Sequence, residues 1–243
     1  MVTVSRYPDL ASLVDATSTR LTEILSGIHA TATGGANRDG VARVVLTGGG
    51  AGIALLESLR NREIDWSRVH VFFGDERNVT VTHPDSNEGQ ARTALLDHVT
   101  IPAENIHGYG LDGGDMAAAV VRYEDVVTRV APDGFDVHLL GMGGEGHINS
   151  LFPHSPATAE KARLVTAVTD SPKPPTQRAT LTLPAVARAQ RVWLLVAGAE
   201  KAEAAAHVAA GADPAEWPAA GAAGQSETVL HVAEDAAQLI PVD

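Results

Sequence analysis

The apolar residues of this chain follow two patterns, one typical of helices and one typical of buried strands. Helical spacing is clearest from about Asp9 to His29, where apolar side chains recur every three or four positions and form one stripe. The same spacing predicts a second long helix through Met116, Ala119, Val120, Tyr123, Val126, Val127 and Val130. Shorter helices are predicted around 53–59, 184–189 and 201–210.

Short, continuously apolar runs alternate with these helices and predict buried strands. They lie at 41–46, 69–73, 135–140, 179–182, 192–197 and 228–232. Strands that are apolar on both faces are typical of a parallel sheet with helices on both sides. We therefore predict an α/β fold with a mainly parallel sheet, in a single domain over residues 1–243.

One more helix is predicted to begin after Ser86, because a serine hydroxyl is a favourable N-cap. The apolar residues Leu95, Leu96 and Val99 are predicted to lie on this helix.

Three of the predicted strands run into glycine-containing loops, after residues 46, 73 and 140. In open α/β sheets, ligands bind beyond the carboxyl ends of the strands. We therefore expect these three loops to gather at one edge of the sheet and to form the functional site.

The first loop contains Thr47, Gly48, Gly49 and Gly50, between a strand and a helix. Glycines let the backbone approach an anion closely, and a helix N-terminus offers free N–H groups and a positive dipole end. The loop is equally consistent with a tight turn that binds nothing. It matches neither the GxGxxG dinucleotide fingerprint nor a phosphate-binding loop ending in Lys-Ser or Lys-Thr.

The second loop carries three charged residues in a row, Asp75, Glu76 and Arg77. A triplet of this kind is usually a solvated ion-pair cluster. Its position at the expected edge of the sheet favours a functional interpretation instead, and the guanidinium of Arg77 is suited to bidentate contact with phosphate.

The third loop, Gly141-Met-Gly-Gly-Glu-Gly-His147, is the most informative segment. The amides of Gly143 and Gly144 are candidates for stabilising an oxyanion, and histidine is well suited to proton transfer near neutral pH. The setting of His147 distinguishes it from other histidines of the chain. Those expected to be surface residues or hydrogen-bonded core residues are His29, His98, His138 and His207.

Two further cations, Lys173 and Arg178, flank a proline-rich loop. The composition of this loop alone favours a rigid surface turn with solvated charges.

Charge and composition restrict the possible partners. The formal net charge of -12 argues against binding to nucleic acid or to an anionic membrane. The chain has no cysteine, which excludes disulfides and thiolate chemistry, and we find no metal-binding motif. We expect no metal and no cofactor. No signal peptide is recognised at the N-terminus, so a cytoplasmic protein is expected, either a monomer or a small homo-oligomer.

The motifs together resemble the 6-phosphogluconolactonase family, within a superfamily that also contains glucosamine-6-phosphate isomerases. The segments that carry the resemblance span most of the chain: 46–50, 71–77 with 85–87, 140–147 with 150–153, and 171–178 with 180–183. The related glucosamine-6-phosphate deaminases have Tyr in place of Arg77 and an Asn-Glu-Pro segment after the histidine. This chain instead has Ser150-Leu-Phe-Pro153, which favours the lactonases.

The resemblance implies a three-layer αβα fold and hydrolysis of 6-phospho-D-glucono-1,5-lactone to 6-phosphogluconate. His147 is then the expected base, and Glu145 and Asp75 are alternative residues for orienting it. The expected phosphate ligands are the Thr47–Gly50 turn, Arg77, Lys173 and Arg178. Two alternatives are an isomerase or deaminase of amino-sugar phosphates and a non-catalytic sugar-phosphate sensor. One departure is Glu145, because the family usually has Asp at that position.

Overall fold

A computed structural model describes residues 2–241, and its centre is a seven-stranded parallel sheet with helices on both sides. The strands are β1 (Thr3–Tyr7), β2 (Ala42–Leu46), β3 (Val69–Phe73), β4 (Asp75–Arg77), β5 (Ile106–His107), β6 (Val137–Gly141), β7 (Val165–Val168), β8 (Arg178–Leu181), β9 (Arg191–Val196) and β10 (Glu227–Ala233). The order in the large sheet is β1-β10-β9-β6-β2-β3-β5, and a small antiparallel sheet has the order β4-β8-β7.

In the described part of the chain, seven α-helices connect or flank these strands. They are α1 (Leu10–His29), α2 (Gly49–Leu59), α3 (Asn87–Ala94), α4 (Met116–Val130), α5 (Pro156–Ala159), α6 (Leu183–Val186) and α7 (Ala202–Ala209). The α/β fold predicted from the sequence is confirmed. The two long helices begin where side-chain caps were available, since Asp9 caps α1 and Asp115 caps α4.

The helix after Ser86 is shorter than its sequence predicts. The Ser86 hydroxyl does accept the amide hydrogen of Gly89, as expected of an N-cap. The helix nevertheless ends at Ala94, and Leu95 and Leu96 are buried where the chain changes to a 3₁₀ turn. The apolar spacing therefore predicted the burial of Leu95 and Leu96 correctly but not their conformation. An α-helix and a 3₁₀ turn can both present these side chains to the core.

The sequence also gave no sign of several short strands. The charged triplet at 75–77 is a strand, β4, and not only a loop, and it pairs with β8 about a hundred residues later in the chain. The edge strands β1, β5 and β7 were missed as well. These strands are too short or too polar to show a strand pattern, and their long-range pairing determines their conformation.

Two stacked tyrosines fix the end of β3, where the site begins. Beyond Phe72 the neighbouring strand β5 has ended, so the backbone of Phe73 lacks a strand partner on that side. The hydroxyl of Tyr123 on α4 accepts the Phe73 N–H at 2.9 Å and donates to the Phe73 carbonyl at 3.0 Å. Tyr109 stacks on Tyr123 and donates its hydroxyl to the Gly74 carbonyl. Side chains thus replace the missing strand.

One edge of the large sheet joins the beginning of the chain to its C-terminal strand. β1 runs parallel to β10, with Thr3 opposite Val229 and Tyr7 opposite Ala233. The Tyr7 hydroxyl lies 2.8 Å from Nδ1 of the buried His231, which connects the two strands through their side chains.

His138 corrects one expectation from the sequence. It is fully buried on β6, in edge-to-face contact with Phe135, but neither ring nitrogen has a hydrogen-bond partner among the described residues. It is a core residue without the expected hydrogen bond. Burial lowers its pKa to about 3, because an imidazolium would have no water and no partner there.

In the part of the chain that the structure describes, no helix has the length and apolar character needed to cross a membrane.

Because His138 is buried without a hydrogen-bond partner among the described residues, we expect the stability of the folded protein to be sensitive to acid. The unfolded chain binds a proton at this residue near pH 6.5, whereas the folded chain resists it down to about pH 3. The free energy of unfolding should therefore fall with decreasing pH between these values, and His138 should account for about 2 kcal/mol of loss from pH 7 to pH 5. His138→Leu should remove that share, as measured by urea denaturation at both pH values.

The exposed His98 provides the control, and His98→Gln should keep the parent's pH dependence. An unchanged pH dependence in the His138 variant would contradict the assignment.

Candidate active site

The loops after β2, β3 and β6 meet at one edge of the sheet, as the sequence predicts, and they surround a cavity of about 210 Å³. The lining residues are Thr47, Gly48, Gly49, Gly50, Ala51, Gly52, Asp75, Arg77, Asn87, Gly141, Met142, Gly143, His147, Asn149, Arg178, Leu195 and Lys201. A larger surface cavity of about 550 Å³ lies beside α2 and α3, but none of the predicted site residues lines it. The chemistry is therefore concentrated in the smaller cavity.

The glycine turn presents the N-terminus of α2 to this cavity. The N–H groups in the first turn of any α-helix have no intrahelical partner. The N-cap of α2 is Gly48, and among the described residues no side chain accepts a hydrogen bond there as a cap. The Thr47 hydroxyl accepts the Gly141 N–H at 2.9 Å, which ties the first loop to the third. An open helix N-terminus of this kind can bind an anion.

The two carboxylates of β4 are buried, but each has a full set of partners. Glu76 accepts hydrogen bonds of 2.8–2.9 Å from the backbone N–H groups of Arg77, Asn87 and Glu88 and from the Ser86 hydroxyl. Burial raises the pKa of Glu76, and these backbone donors oppose that rise. The carboxylate thereby attaches β4 to the N-terminus of α3, where the positive end of the helix favours it.

Asp75 is bonded to residues around the cavity rather than to His147. Its carboxylate accepts from the Ser150 hydroxyl at 2.5 Å and from Asn87 Nδ2 at 2.8 Å. The Arg178 guanidinium lies 3.9 Å away.

Both arginines line the cavity. Arg77 donates to the Asp85 carbonyl and to Asn87 Oδ1, while its Nε has no partner among the described residues. Arg178 is buried on β8 and donates to the carbonyls of Lys173 and Pro175. The surface-turn interpretation therefore fails for Arg178, which lines the cavity.

His147 is held by contacts on several sides. Its ring stacks on Phe152 with 4.7 Å between centroids, and its Nδ1 lies 3.2 Å from Glu145 Oε1. On another side it lies against Cα of Gly143, where any added Cβ would collide with the imidazole. A glycine at 143 is therefore required by the close approach of the ring.

Lys173 is a third ionisable residue, next to Glu145 and His147. The Lys173 ammonium is 2.7 Å from Glu145 Oε1 and 3.5 Å from His147 Nδ1. Burial disfavours ionisation of Glu145, but the hydrogen bond from Lys173 and the neighbouring positive charge lower its pKa to about 2. Burial and then Lys173 lower the pKa of His147, and Glu145 opposes them. The net effect lowers the pKa of His147 and so favours the neutral imidazole.

The structure corrects the expected oxyanion donors. The Gly143 N–H already donates to the His147 carbonyl at 3.0 Å, so it is not available to a substrate. Gly144 is not among the lining residues, and its Cα packs against the Glu200 carbonyl. The glycines of this loop instead let the backbone fold back, so that the ring of His147 lies against it.

Three lining residues with polar side chains were not predicted as site residues: Asn87, Asn149 and Lys201. Lys201 follows β9, so the rule that ligands bind beyond strand ends, applied to a fourth strand, would have found it. Asn149 has a positive φ of 50°, and its Nδ2 is buried without a partner among the described residues. Only the folded arrangement reveals that unpaired donor.

No group of three or more His, Cys, Asp or Glu side chains within residues 2–241 is arranged to hold a metal ion.

Several known proteins resemble this chain in sequence and fold. The family model described as glucosamine-6-phosphate isomerases/6-phosphogluconolactonase matches residues 14–231. A 6-phosphogluconolactonase of Mycobacterium tuberculosis is 50% identical over 203 residues, which cover 79% of each chain. One from Mycobacterium leprae is 52% identical over 168 residues, covering 65% of this chain and 68% of that protein.

Among solved structures, a 6-phosphogluconolactonase from Thermotoga maritima superposes with a TM-score of 0.84 at 28% sequence identity. The match covers 96% of this chain and all of the other.

The contacts of Glu76 predict that this buried carboxylate is critical for stability. Glu76→Ala would leave four donors without their acceptor, so we expect a loss of about 3 kcal/mol in the free energy of unfolding, measured by urea denaturation. Glu104→Ala removes an exposed glutamate and should stay within about 0.5 kcal/mol of the parent. Equal stability of the two variants would show that the Glu76 contacts contribute nothing.

Proposed function

The chain belongs to the glucosamine-6-phosphate isomerase/6-phosphogluconolactonase family, and from this we infer that it hydrolyses 6-phospho-D-glucono-1,5-lactone to 6-phosphogluconate. It is a hydrolase of the oxidative pentose phosphate pathway that acts on a sugar-phosphate lactone. The observation that carries this function is one cavity that combines a largely buried histidine, whose pKa is lowered, with the open N-terminus of α2 and with Lys201.

We propose His147 as the general base. Its neutral imidazole takes a proton from water while the water oxygen forms a bond to the lactone carbonyl carbon. When the tetrahedral intermediate collapses, the bond from that carbon to the ring oxygen breaks. The imidazolium then returns the proton to the departing ring oxygen, which leaves an open-chain acid and regenerates the neutral base.

Glu145 is the better candidate for orienting the base. Its Oε1 lies 3.2 Å from Nδ1 of His147, close enough to accept Nδ1–H in the tautomer that leaves the lone pair on Nε2 for water. The carboxylate of Asp75 is already bonded to Ser150 and Asn87. The extra methylene of Glu145, compared with the family's usual Asp, thus still permits contact with the imidazole.

The oxygens of the substrate need donors other than the Gly143 amide. Arg77 Nε and Asn149 Nδ2 are buried donors that have no partner within residues 2–241, and both residues line the cavity. Buried donors are seldom left unpaired in folded proteins, which supports a role for both in binding the oxyanion or the sugar hydroxyls.

The phosphate is assigned to the other side of the cavity. The open N-terminus of α2 and the Thr47–Gly50 turn offer N–H groups, and Lys201 and Arg178 supply positive charge. Lys173, which the sequence also suggests for this task, is instead paired with Glu145. Binding the remote phosphate positions the carbonyl against His147, and such positioning accelerates the reaction. Because the substrate derives from intracellular sugar phosphates, a cytoplasmic location is proposed.

His147→Gln tests the base, since glutamine keeps polarity but cannot accept and return the proton. We expect kcat/KM to fall by about 10²- to 10⁴-fold. The lactone is generated in situ with glucose-6-phosphate dehydrogenase, and the formation of 6-phosphogluconate is measured above spontaneous hydrolysis.

Circular dichroism of the His147 variant should match the parent. Turnover close to that of the parent would exclude His147 as the base. Release of ammonia from glucosamine 6-phosphate by the parent, without lactone hydrolysis, would instead favour a deaminase.

Lys201→Gln tests the phosphate site. Loss of one charged contact should raise KM about tenfold, with a smaller effect on kcat if the contact is equally strong in the ground and transition states. Steady-state kinetics and inhibition by inorganic phosphate should change together. An unchanged KM would remove Lys201 from the phosphate site.

A further inference from the structure

Lys173, Glu145 and His147 form a compact charged cluster at the rim of the cavity, which we call the rim cluster. Lys173 Nζ is 2.7 Å from Glu145 Oε1, and the same carboxylate oxygen is 3.2 Å from His147 Nδ1. The ammonium is itself only 3.5 Å from Nδ1. Lys173 and Glu145 are therefore both close enough to act on the ionisation of His147.

We propose that Lys173 is a positioning residue for the reaction. Its positive charge balances the negative charge of the Glu145 carboxylate, so that this carboxylate can orient His147 without converting it to imidazolium. The proposal rests on the assignment of His147 as the base. It replaces the phosphate-binding role that the sequence suggests for Lys173.

The physical need for Lys173 follows from the two effects of a carboxylate beside a histidine. A carboxylate fixes the ring by accepting Nδ1–H, but its negative charge also stabilises the protonated form. A protonated imidazole cannot take a proton from water. A second charge of opposite sign, close to the same nitrogen, cancels the electrostatic effect and leaves the hydrogen bond in place.

Burial makes this compensation effective at His147. The side chain of His147 is only 19% exposed, whereas Lys173 and Glu145 are 47% and 36% exposed. Solvent therefore screens the ion pair itself, which contributes little to stability. Its effect falls mainly on the buried ring, where the local field is less screened.

The other charges facing His147 do not supply this compensation. Asp75 acts on the imidazole in the same direction as Glu145, favouring its protonated form. Arg77, Arg178 and Lys201 are positive and line the same cavity. Arg77 and Arg178 are bonded to Asn87 and to loop carbonyls, and substrate phosphate would neutralise the charges around it. Lys173 is the cation bonded to Glu145.

The backbone around Lys173 is held in place by Arg178 and Ser171. The Lys173 carbonyl accepts from Arg178 Nη2 at 2.9 Å and from the Ser171 hydroxyl at 3.0 Å. The ammonium thus projects from a fixed point of the loop, although its side chain is partly exposed. Arg178 thereby links the cavity to the rim cluster.

The test measures the pKa of His147 directly, in the whole protein without substrate, by NMR titration of its ring protons. Comparison with His147→Gln assigns the signal. Lys173→Met should raise the pKa of His147 by about one pH unit, and Lys173→Arg should leave it near that of the parent. Glu145→Gln should lower it, and the double variant Lys173→Met with Glu145→Gln should return close to the parent value.

Kinetics give the second readout. In Lys173→Met the acidic limb of the pH profile of kcat/KM should move upward by the same amount, with less than a twofold change in KM above that limb. A raised KM at every pH with an unmoved limb would make Lys173 a phosphate ligand and overturn the proposal. An unchanged pKa of His147 in the NMR titration would overturn it as well.

The two measurements also separate this proposal from the proposed function. If the pKa of His147 rises in Lys173→Met but the kinetic limb does not follow, the influence of Lys173 is supported, while His147 is excluded as the base. If His147→Gln is inactive but its pKa in the parent is independent of Lys173, the base assignment holds and the role of Lys173 fails.

Discussion

The buried carboxylate of Glu76 is the interaction on which the geometry of the cavity depends. It joins β4, which carries Asp75 and Arg77, to the first turn of α3, which carries Asn87. Asn87 in turn bonds to both Asp75 and Arg77. A negative charge at a helix N-terminus is favourable, and here it also fixes two segments that otherwise have little apolar surface in common. One satisfied charge thus determines the position of several cavity residues.

The sequence predicts β2, β3, β6, β9 and β10 of the large sheet because these strands are largely apolar on both faces, whereas the shorter or more polar β1 and β5 were missed. Runs such as 69–73 and 192–197 have no stable alternative to burial, and the strand-end rule then places the loops after residues 46, 73 and 140 together. His147 was found for the same reason. Its identification needed only a strand, a glycine loop and a histidine in order.

Long-range contacts account for what the sequence did not predict. β4 becomes a strand only through β8, and the amide of Gly143 is withdrawn from the cavity by the carbonyl of His147. The composition of its loop predicts that Lys173 is exposed, and its side chain is indeed partly exposed. The fold nevertheless brings its ammonium into contact with Glu145. Propensity and spacing describe neighbours along the chain, whereas these roles depend on neighbours in space.

The pairing of β1 with β10 has a consequence for how this protein is made. Because synthesis runs from the N-terminus, Thr3 leaves the ribosome long before its partner Val229. Until then β1 is unpaired and the outer edge of β9, which β10 later covers, has free backbone groups. Such edges can pair with other chains. The large sheet is therefore complete only after β10 has been synthesised and has paired with both β1 and β9.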